Sequence, residues 1–404
     1  MSSTPEINLV FDPGYPDFID LPWRLPLSQW GDNCQRIEEV TIGISRHPVV
    51  FVNYSGVLYC LKELPVDIAK KEFLALKNIA RLKLPAVIPV GYGERTEPKP
   101  AYSVLVTQFL ENSIPYRSLF MSPGLRRYLD SLLDAMAGLL VQLHLAGVYW
   151  GDCSLSNTLF RRDAGALQAY LVDAETTDVT PQIIPPLLRH QDLDIMENNV
   201  NGELEDLSSN VNLIGNLPSP DTGGFIKHRY QRLWEEVTHE DVITPAEHYR
   251  IHERIRSLNT LGYSIGNISL IPNEGGDQLR FKLIVTDRNF HRNQLFTLTA
   301  LQAEERQART IMNEIQEVKA VLSRTNNRST PVSVAAHYWL ENYYFPTIDL
   351  LHDLIHHPVD GPELYCQVLE NKWFLSEKAQ RDVGHHVAAV DYRARFSGKE
   401  HEML

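Results

Sequence analysis

The spacing of apolar residues divides the chain into a strand-rich first part and a helix-rich remainder. Short β-branched runs and alternating apolar positions predict strands at 39–44, 48–54, 57–62, 86–93 and 102–110. Apolar residues that recur every three or four positions predict helices at 65–83, 125–145, 190–207, 246–261, 303–322, 334–351 and 362–390. A further hairpin is predicted at 264–271 and 278–285. The pattern therefore indicates a mixed α+β chain.

Changes in composition divide this pattern into regions. Residues 1–35 alternate prolines with aromatic residues, which predicts an extended N-terminal arm held to a folded body by its rings. Residues 36–112 would form a small lobe of strands with one helix, and residues 113–210 a larger, mostly helical lobe. Residues 208–224, rich in Asn, Pro and Gly, read as a linker. A separate, mostly α-helical C-terminal domain with a small hairpin is predicted for 225–404.

Three polar residues stand out around the segment 148–173. Asp152 lies in a tight loop, Asn157 follows it by five positions, and Asp173 ends the second of two apolar runs. If the segment folds as strand, turn and strand, the three side chains lie close together at one end of the hairpin. Asn157 and Asp173 are then hard oxygen ligands suited to Mg²⁺, and Asp152 can accept a proton from an attacking hydroxyl. The alternative is that these residues only cap local turns, which is common for loop Asp and Asn.

Upstream residues support a site for ATP. Lys62 ends the third predicted strand, where a kinase lysine contacts phosphates, and Glu72 on the next helix is its candidate ion-pair partner. The strand 102–110 would lead into a hinge whose backbone at Gln108 to Leu110 meets the adenine, with Thr107 at the back of the pocket. The alternative for Glu72 is a solvated helix surface.

Composition narrows the function classes. The 404 residues carry a net charge of −13, with a sequence pI of about 5.6, which argues against broad binding to nucleic acid or anionic membranes. Four scattered cysteines indicate neither a zinc site nor a disulfide framework and fit a reducing cytoplasm. We expect no signal peptide and no membrane span.

Two other groups of residues call for an interpretation. His144, near the end of the helix 125–145, is expected to be a half-buried histidine with its hydrogen bonds satisfied. A basic cluster beside the second hairpin could hold an anion, but charged residues that protect a strand edge explain it better. Its members are Arg280, Lys282, Arg288, His291 and Arg292.

These motifs resemble the protein-kinase-like superfamily, most nearly its bacterial lipopolysaccharide-kinase-type and RIO-like branches. Asp152-Cys153-Ser154 is similar to the RIO-type loop. The segments 149–160, 161–176 and 370–377 resemble a bacterial family of unknown function, which joins a kinase-like half to a family-specific C-terminal domain. The resemblance implies a bilobal kinase-like fold and an ATP- and Mg²⁺-dependent phosphotransferase. By the same resemblance, Lys62 contacts phosphates, Glu72 pairs with it, Asp152 is the base, and Asn157 and Asp173 hold the metal.

The sequence departs from the kinase pattern at four places. Trp150 replaces the usual loop histidine, and Ala174-Glu175 follows Asp173 in place of Phe-Gly. The segment 43–48, which would cover the phosphates, has one glycine, so Arg46 or backbone amides would do this instead. No long activation segment and no Ala-Pro-Glu follow, which favours a small-molecule or atypical kinase over one that docks peptides.

Three functions therefore stay open at this point. The first is a phosphotransferase acting on a small molecule, sugar or lipid head group. The second is a nucleotide-binding pseudokinase or regulatory module that acts on a protein partner through the C-terminal domain. The third and weakest is a protein kinase or an AMP-transferring enzyme.

Overall fold

The computed structural model describes residues 7–40, 46–95, 101–121, 128–210, 221–243, 247, 249–272, 279–357 and 360–396. The chain forms two compact units. The first comprises Met1–Arg161 and Ala169–Trp234, and the second comprises Arg162–Gln168 and Glu235–Leu404. The change from one unit to the other falls after Trp234, downstream of the linker expected at 208–224. The short turn of Arg162–Gln168 belongs to the second unit.

A six-stranded antiparallel sheet begins the first unit. Its strands run in the order β1-β5-β6-β4-β3-β2. They are β1 (Ile7–Phe11), β2 (Ile37–Glu38), β3 (Val49–Tyr54), β4 (Val57–Leu64), β5 (Ile88–Arg95) and β6 (Tyr102–Gln108). Of the strand predicted at 39–44, residues 39 and 40 are not in a strand, and 41–45 lie outside the described residues. The remaining predicted strands agree with the observed ones to within about two residues.

The N-terminal arm is part of this sheet. Its residues Ile7–Phe11 form the edge strand β1, which pairs with β5. Gly91 permits this pairing, since a Cβ there would lie 2.3 Å from the carbonyl oxygen of Val10. In the arm, Trp23 precedes and Trp30 follows a short 3₁₀ turn at Leu27–Gln29. Both tryptophans are buried, and their ring centroids lie 5.6 Å apart. The aromatic rings thus fasten the arm, as predicted from the sequence.

Helix α1 (Ile68–Arg81) packs on the sheet. It starts three residues after Pro65, and its apolar face buries Phe73, Leu76 and Ile79. Glu72 lies on the same buried face and has no exposed surface. The helix therefore delivers a carboxylate to the underside of the sheet, which a solvated surface position could not do.

The rest of the first unit is mostly helical. Its helices are α2 (Tyr116–Met121), α3 (Leu129–Leu145), α4 (Pro186–Asn210) and α5 (Thr222–Thr238). Its short strands are β7 (Ser113–Pro115), β8 (Val148–Tyr149), β9 (Thr158–Asp163), β10 (Ala166–Leu171) and β11 (Asp178–Val179), of which β9 ends and β10 begins within the turn Arg162–Gln168 of the second unit. The predicted hairpin is confirmed as β9 and β10, in a sheet ordered β10-β9-β7. Helix α5 was missed, because part of its sequence reads as linker.

The buried interior of this helical part includes a histidine. His144 is fully buried, with Nδ1 2.8 Å from the Tyr230 hydroxyl and Nε2 3.1 Å from Asp192 Oδ2. Burial lowers its pKa despite the neighbouring carboxylate. The expectation that it is satisfied is confirmed, but the expectation that it is half-buried is wrong, since α3, α4 and α5 all contribute to its surroundings.

The second unit combines a small sheet with helices. Strands β12 (Asp241–Ile243), β13 (Ser264–Pro272) and β14 (Leu279–Asp287) pair in the order β12-β14-β13. The predicted hairpin is β13 and β14, and the turn at 273–278 lies outside the described residues. Its helices are α6 (Tyr249–Thr260), α7 (Phe290–Thr299), α8 (Glu305–Thr325), α9 (Val332–Trp339), α10 (Phe345–Leu350), α11 (Asp360–Ala379) and α12 (His385–Phe396).

Two predicted helices of this unit are interrupted. The segment 334–351 contains a π-helical turn, Leu340–Tyr344, between α9 and α10, and His352–Leu354 adds a 3₁₀ turn. The segment 362–390 breaks between α11 and α12, where Gln380 and Gly384 have φ angles of 53° and 79°. A left-handed residue ends a helix whatever the apolar periodicity around it. Within the described residues, no helix is long and apolar enough to cross a membrane.

Candidate active site

The predicted site residues of the first unit meet at one cavity of about 340 Å³. Strands β3, β4 and β6 line one side, and the loop between β8 and β9 lines another. The cavity is bordered by Lys62, Gln108, Leu110, Asp152, Asn157 and Asp173. Of the seven predicted site residues, only Glu72 does not line it, and Glu72 lies directly behind Lys62. The fold thus brings together residues separated by as many as 111 positions.

Lys62 forms ion pairs with two carboxylates. Its ammonium nitrogen lies 3.2 Å from Glu72 Oε2 and 2.6 Å from Asp173 Oδ2. Glu72 also accepts a hydrogen bond from the backbone N–H of Ala174, at 3.2 Å. The buried glutamate therefore holds both the lysine and the start of the segment after Asp173. Sequence spacing alone did not decide whether Glu72 pairs with Lys62 or lies on a solvated helix surface. The structure shows the ion pair with Lys62.

Burial sets the protonation behaviour of this group. Burial and the nearby Asp173 raise the pKa of Glu72 to about 7, although Lys62 opposes the shift. Burial alone would lower the pKa of Lys62, but Glu72 and Asp173 outweigh it and raise that pKa. One cation, Lys62, is thus shared by two carboxylates. When both carboxylates are ionised, the three side chains together lack one positive charge for neutrality.

The loop aspartate is held by the side chain predicted to be its metal-binding neighbour. Asn157 Nδ2 donates to the backbone oxygen of Asp152, at 2.9 Å, and to its Oδ2, at 3.1 Å. The backbone N–H of Val172 donates to the carbonyl oxygen of Asn157, at 3.1 Å, which ties the start of β9 to the end of β10. Asn157 therefore turns its amide nitrogen to Asp152, so that Asn157 Oδ1 points elsewhere.

The donor set fits a hard divalent cation. The amide oxygen of Asn157 and the carboxylate of Asp173 are the ligand types that Mg²⁺ accepts alongside phosphate oxygens and water. Both side chains are partly exposed and line the same cavity. Two oxygen-bearing side chains at one cavity therefore fit such a cation by their chemistry.

Trp150, the first departure from the kinase pattern, braces the loop. Its indole Nε1 donates to the backbone oxygen of Asp173, at 2.9 Å, and its ring is fully buried. The tryptophan thus connects the loop to the backbone of Asp173, the kind of bracing that a histidine gives in other kinase-like loops. The substitution therefore does not leave the loop unsupported.

Asp192 anchors the same loop from helix α4, and sequence analysis missed it. Its carboxylate is fully buried and accepts from the backbone N–H groups of Trp150 and Gly151, each at 2.9 Å. Gly151 has a φ of 80°, a left-handed conformation that suits glycine. The available signal was a charged residue next to Leu193 on an otherwise apolar helix face.

Two further residues of α4 border the cavity and were also missed. Asn199 Nδ2 donates to Asp152 Oδ1, at 3.0 Å, and to the backbone oxygen of Cys153, at 3.2 Å. Glu203 accepts from the backbone N–H of Leu155, at 2.8 Å, and from that of Ser156, at 3.1 Å. The helix was predicted from its apolar positions, and its polar residues were not predicted to reach the site.

The segment predicted to form the hinge, 108–110, is described, whereas the segment predicted to cover the phosphates, 43–48, is described only from residue 46. Thr107, Gln108 and Leu110 line the cavity, which agrees with an adenine pocket at the end of β6. Arg46 lines it as well, so a cationic side chain borders the region where the glycines are missing. Residues 41–45 lie outside the described residues.

The basic cluster of the second unit is matched by acidic side chains. Lys282 lies 3.3 Å from Glu240, His291 2.6 Å from Glu305, and Arg292 3.5 Å from Glu304. Arg288 donates to the backbone oxygen of Leu261, at 3.2 Å, and the side chain of Arg280 lies outside what is described. Since these cations already have acidic or carbonyl partners, the cluster favours the structural reading over an anion site.

Fold and site together define a protein-kinase-like domain. An antiparallel sheet carries the lysine, the following helix carries its glutamate, and a hairpin loop of a helical lobe carries Asp152, Asn157 and Asp173. This combination of sheet, ion pair and loop matches the general kinase plan. The predicted fold class, α+β with a kinase-like bilobal part and a mostly helical C-terminal part, is confirmed.

Comparison with known families agrees and is more specific. Residues 57–212 match the lipopolysaccharide kinase (Kdo/WaaP) family, and residues 232–396 match a domain of unknown function, DUF4032. The first of these parts is therefore similar to lipopolysaccharide kinases, and each match covers less than half of the chain. The resemblance drawn from the sequence motifs is confirmed.

One curated protein and one solved structure illustrate the similarity. The lipopolysaccharide core heptose(I) kinase WaaP of Pseudomonas aeruginosa is 28% identical over 135 residues, which cover 30% of this chain and 49% of that protein. The chain thus spans about half the length of this curated relative. A solved structure of WaaP in complex with acyl carrier protein matches with a TM-score of 0.36 and 18% identity, over 63% of this chain and 94% of that one.

Proposed function

We propose that the first unit is a phosphotransferase that moves the γ-phosphoryl group of ATP, with Mg²⁺, to a hydroxyl of a sugar or of a sugar-bearing lipid head group. The observation that carries this proposal is the single cavity that holds Lys62, Asp152, Asn157 and Asp173. Phosphoryl transfer needs little covalent chemistry from the protein, because positioning and charge stabilisation supply most of the acceleration. This cavity provides groups for both tasks.

Each residue has a distinct role in this proposal. Lys62 contacts phosphate oxygens, and Glu72 keeps the lysine in place from behind. Asp152 accepts the proton of the acceptor hydroxyl while that oxygen bonds to the γ-phosphorus and the bond to the β-phosphate oxygen of ADP breaks. Asn157 and Asp173 hold Mg²⁺, which when bound neutralises charge on the phosphates. Backbone groups at Gln108 and Leu110 meet the adenine.

A sugar hydroxyl is the favoured acceptor. A curated relative that matches 30% of this chain is a lipopolysaccharide core heptose(I) kinase. No long peptide-docking segment separates Asp173 from α4, whose first residue is Pro186. A small or mobile acceptor hydroxyl can enter an open cavity without such a platform, whereas an extended peptide normally requires one.

The proposed setting is the cytoplasm, where ATP is available. All four cysteines are free thiols, as expected in a reducing compartment. The C-terminal domain would bind a protein partner or the acceptor. Binding of nucleic acid is not expected from the net charge of −13.

The deciding experiment is thermal unfolding with ATP, with and without Mg²⁺, on the wild type and on Asp173→Ala. Binding to the folded state at 100 times the dissociation constant stabilises it by about 2.7 kcal/mol. We expect a Mg²⁺-dependent rise in Tm for the wild type that Asp173→Ala loses. The matched control is Asp178→Ala, an exposed aspartate on β11 that does not line the cavity.

Transfer is then measured with γ-labelled ATP and a panel of acceptors that includes heptose, glycerol and core oligosaccharide. Label on a sugar would support the proposal. A Mg²⁺-dependent Tm shift without transfer to any acceptor or to water would replace it with a nucleotide-binding regulatory module. Absence of any Tm shift at saturating ATP would refute the nucleotide site itself.

A further inference from the structure

One polar face of helix α4 runs along the loop 150–156, which carries Asp152. Asp192, Asn199 and Glu203 are spaced by seven and four positions, so they lie on the same side of the helix. Asp192 bonds the backbone at 150 and 151, Asn199 reaches residues 152 and 153, and Glu203 bonds the backbone at 155 and 156. The order of contacts along the helix repeats the order along the loop.

Asn199 differs from the other two because it reaches a side chain of the reaction. Asp192 and Glu203 hold the backbone of the loop, and Glu203 also accepts from the hydroxyl of Ser156. Asn199 Nδ2 donates to Asp152 Oδ1, at 3.0 Å. Its second bond, to the backbone oxygen of Cys153 at 3.2 Å, fixes the orientation of the amide, because only the nitrogen can donate to two oxygens.

The carboxylate of Asp152 is thus held on both oxygens by amides from two different elements. Asn157 Nδ2 lies 3.1 Å from Oδ2, and Asn199 Nδ2 lies 3.0 Å from Oδ1. With both oxygens bonded, rotation of the carboxylate about its Cβ–Cγ bond would break two hydrogen bonds. A carboxylate that accepts a proton must keep such a fixed direction, because a displacement of about 1 Å in a reacting group can cost roughly 100-fold in rate.

We propose that Asn199 is a positioning residue that fixes the direction of the Asp152 carboxylate for proton acceptance. The kinetic part of this inference rests on the function proposed above, and the geometric part does not. Since Asp192 and Glu203 carry the loop backbone, loss of the Asn199 amide leaves the loop in place. The Asp152 carboxylate then keeps its bond from Asn157 at Oδ2 but loses the bond that fixes Oδ1.

The test compares Asn199→Ala and Asn199→Asp with the wild type. The control is Asn198→Ala, which removes the same side chain from the neighbouring, exposed position of α4. Thermal unfolding establishes that the variants fold, and the ATP-dependent Tm shift reports nucleotide binding. Turnover is followed as phosphate released from ATP to water, which needs no acceptor, and crystal structures of the wild type and Asn199→Ala report the Asp152 rotamer.

We expect kcat of Asn199→Ala to fall roughly 10- to 100-fold with little change in KM for ATP, as for a misdirected reacting group. Asn199→Asp keeps the size of the side chain but removes the N–H donor, because an ionised carboxylate offers only acceptor atoms to Asp152 Oδ1. Its kcat should therefore fall at least as far as that of Asn199→Ala, again with little change in KM for ATP, whereas a purely structural residue would not separate kcat from KM in this way.

The crystal structures separate the two proposals. If the Asp152 carboxylate turns in Asn199→Ala while the loop backbone stays, the positioning role stands, even if the wild type transfers no phosphate and the phosphotransferase proposal fails. If the carboxylate keeps its direction and kcat matches that of Asn198→Ala, the positioning role is refuted, whatever the wild-type activity.

Discussion

Lys62 Nζ lies 2.6 Å from Asp173 Oδ2, although 111 positions separate the two residues along the chain. The lysine comes from the antiparallel sheet and the aspartate from the segment that follows strand β10. Their ion pair, completed by Glu72, joins the two parts of the first unit at the floor of its cavity. Removing any one of the three charges should therefore affect both stability and the site.

The first prediction concerns the lysine. Lys62→Met leaves the buried Glu72 and the neighbouring Asp173 without their cation, and breaking such a pair costs on the order of 3 kcal/mol. We expect the free energy of unfolding in urea to fall by about that amount. The double variant Lys62→Met/Glu72→Gln removes the stranded charge as well and should recover part of the loss. Equal stability of the single and double variants would contradict the proposed electrostatic cause.

The second prediction concerns the loop aspartate. Asp152→Asn keeps the shape of the side chain and removes its ability to accept a proton, a contribution typically worth roughly 10²- to 10⁴-fold in rate. Transfer from γ-labelled ATP should fall by that factor, while the Mg²⁺-dependent Tm shift with ATP stays. A variant that unfolds would show that Asp152 has a structural role, and one that keeps full transfer would show that Asp152 is not the proton acceptor.

The third prediction concerns the anchor on α4. Asp192→Ala leaves two buried N–H groups of the loop without an acceptor, and each such group costs about 1–3 kcal/mol. We expect a loss of at least about 2 kcal/mol in unfolding free energy, together with loss of activity. The control is Asp194→Ala, two residues away, whose exposed carboxylate pairs with Lys227. An exposed pair of this kind is worth at most about 1 kcal/mol, so equal effects of the two variants would argue against the anchor.

The fourth prediction concerns acid sensitivity in the second unit. Glu314 accepts hydrogen bonds from Trp339 Nε1 at 2.7 Å and Tyr365 at 2.5 Å, and it lies 2.6 Å from His385. Burial alone would raise its pKa, but these partners outweigh burial and lower it. A lowered pKa means that this stabilisation is complete above the unfolded-state pKa of about 4.5 and is lost as pH falls through the folded-state pKa.

The measurement is urea unfolding of the wild type and Glu314→Gln from pH 7 down to pH 3.5. We expect the wild type to be the more stable of the two at pH 7, and the difference to shrink as the pH drops below about 4.5. A difference that stays constant over this range would mean that the charge on Glu314 contributes nothing to stability.

Most of the site could be predicted because its residues carry their chemistry in a local pattern. Asp152 and Asn157 lie in one short loop between two apolar runs, and Asp173 ends the second run. Lys62 ends a clearly patterned strand. Asp192, Asn199 and Glu203 were missed because their meaning depends on which loop their helix face meets, and no spacing within the helix shows that.

Helix boundaries show the same limit. The segment 362–390 was predicted as one helical run, yet the structure breaks it between α11 and α12. Gln380 and Gly384 both have a left-handed backbone at the break, and of these two only glycine is a residue type that signals a turn. Helix α5 was missed for the opposite reason, since Gly223 and Gly224 in its first turn suggested a linker.

The sequence by itself determined the order of strands and helices, the α+β class and the ligand-type side chains, because these depend on local periodicity and residue chemistry. Tertiary structure alone decided that Glu72 is buried beneath Lys62, that Trp150 reaches the backbone of Asp173, and that Asn199 reaches Asp152. Those contacts join segments distant in sequence. They form because buried charges and donors must find partners, and only the folded chain defines which partners are near.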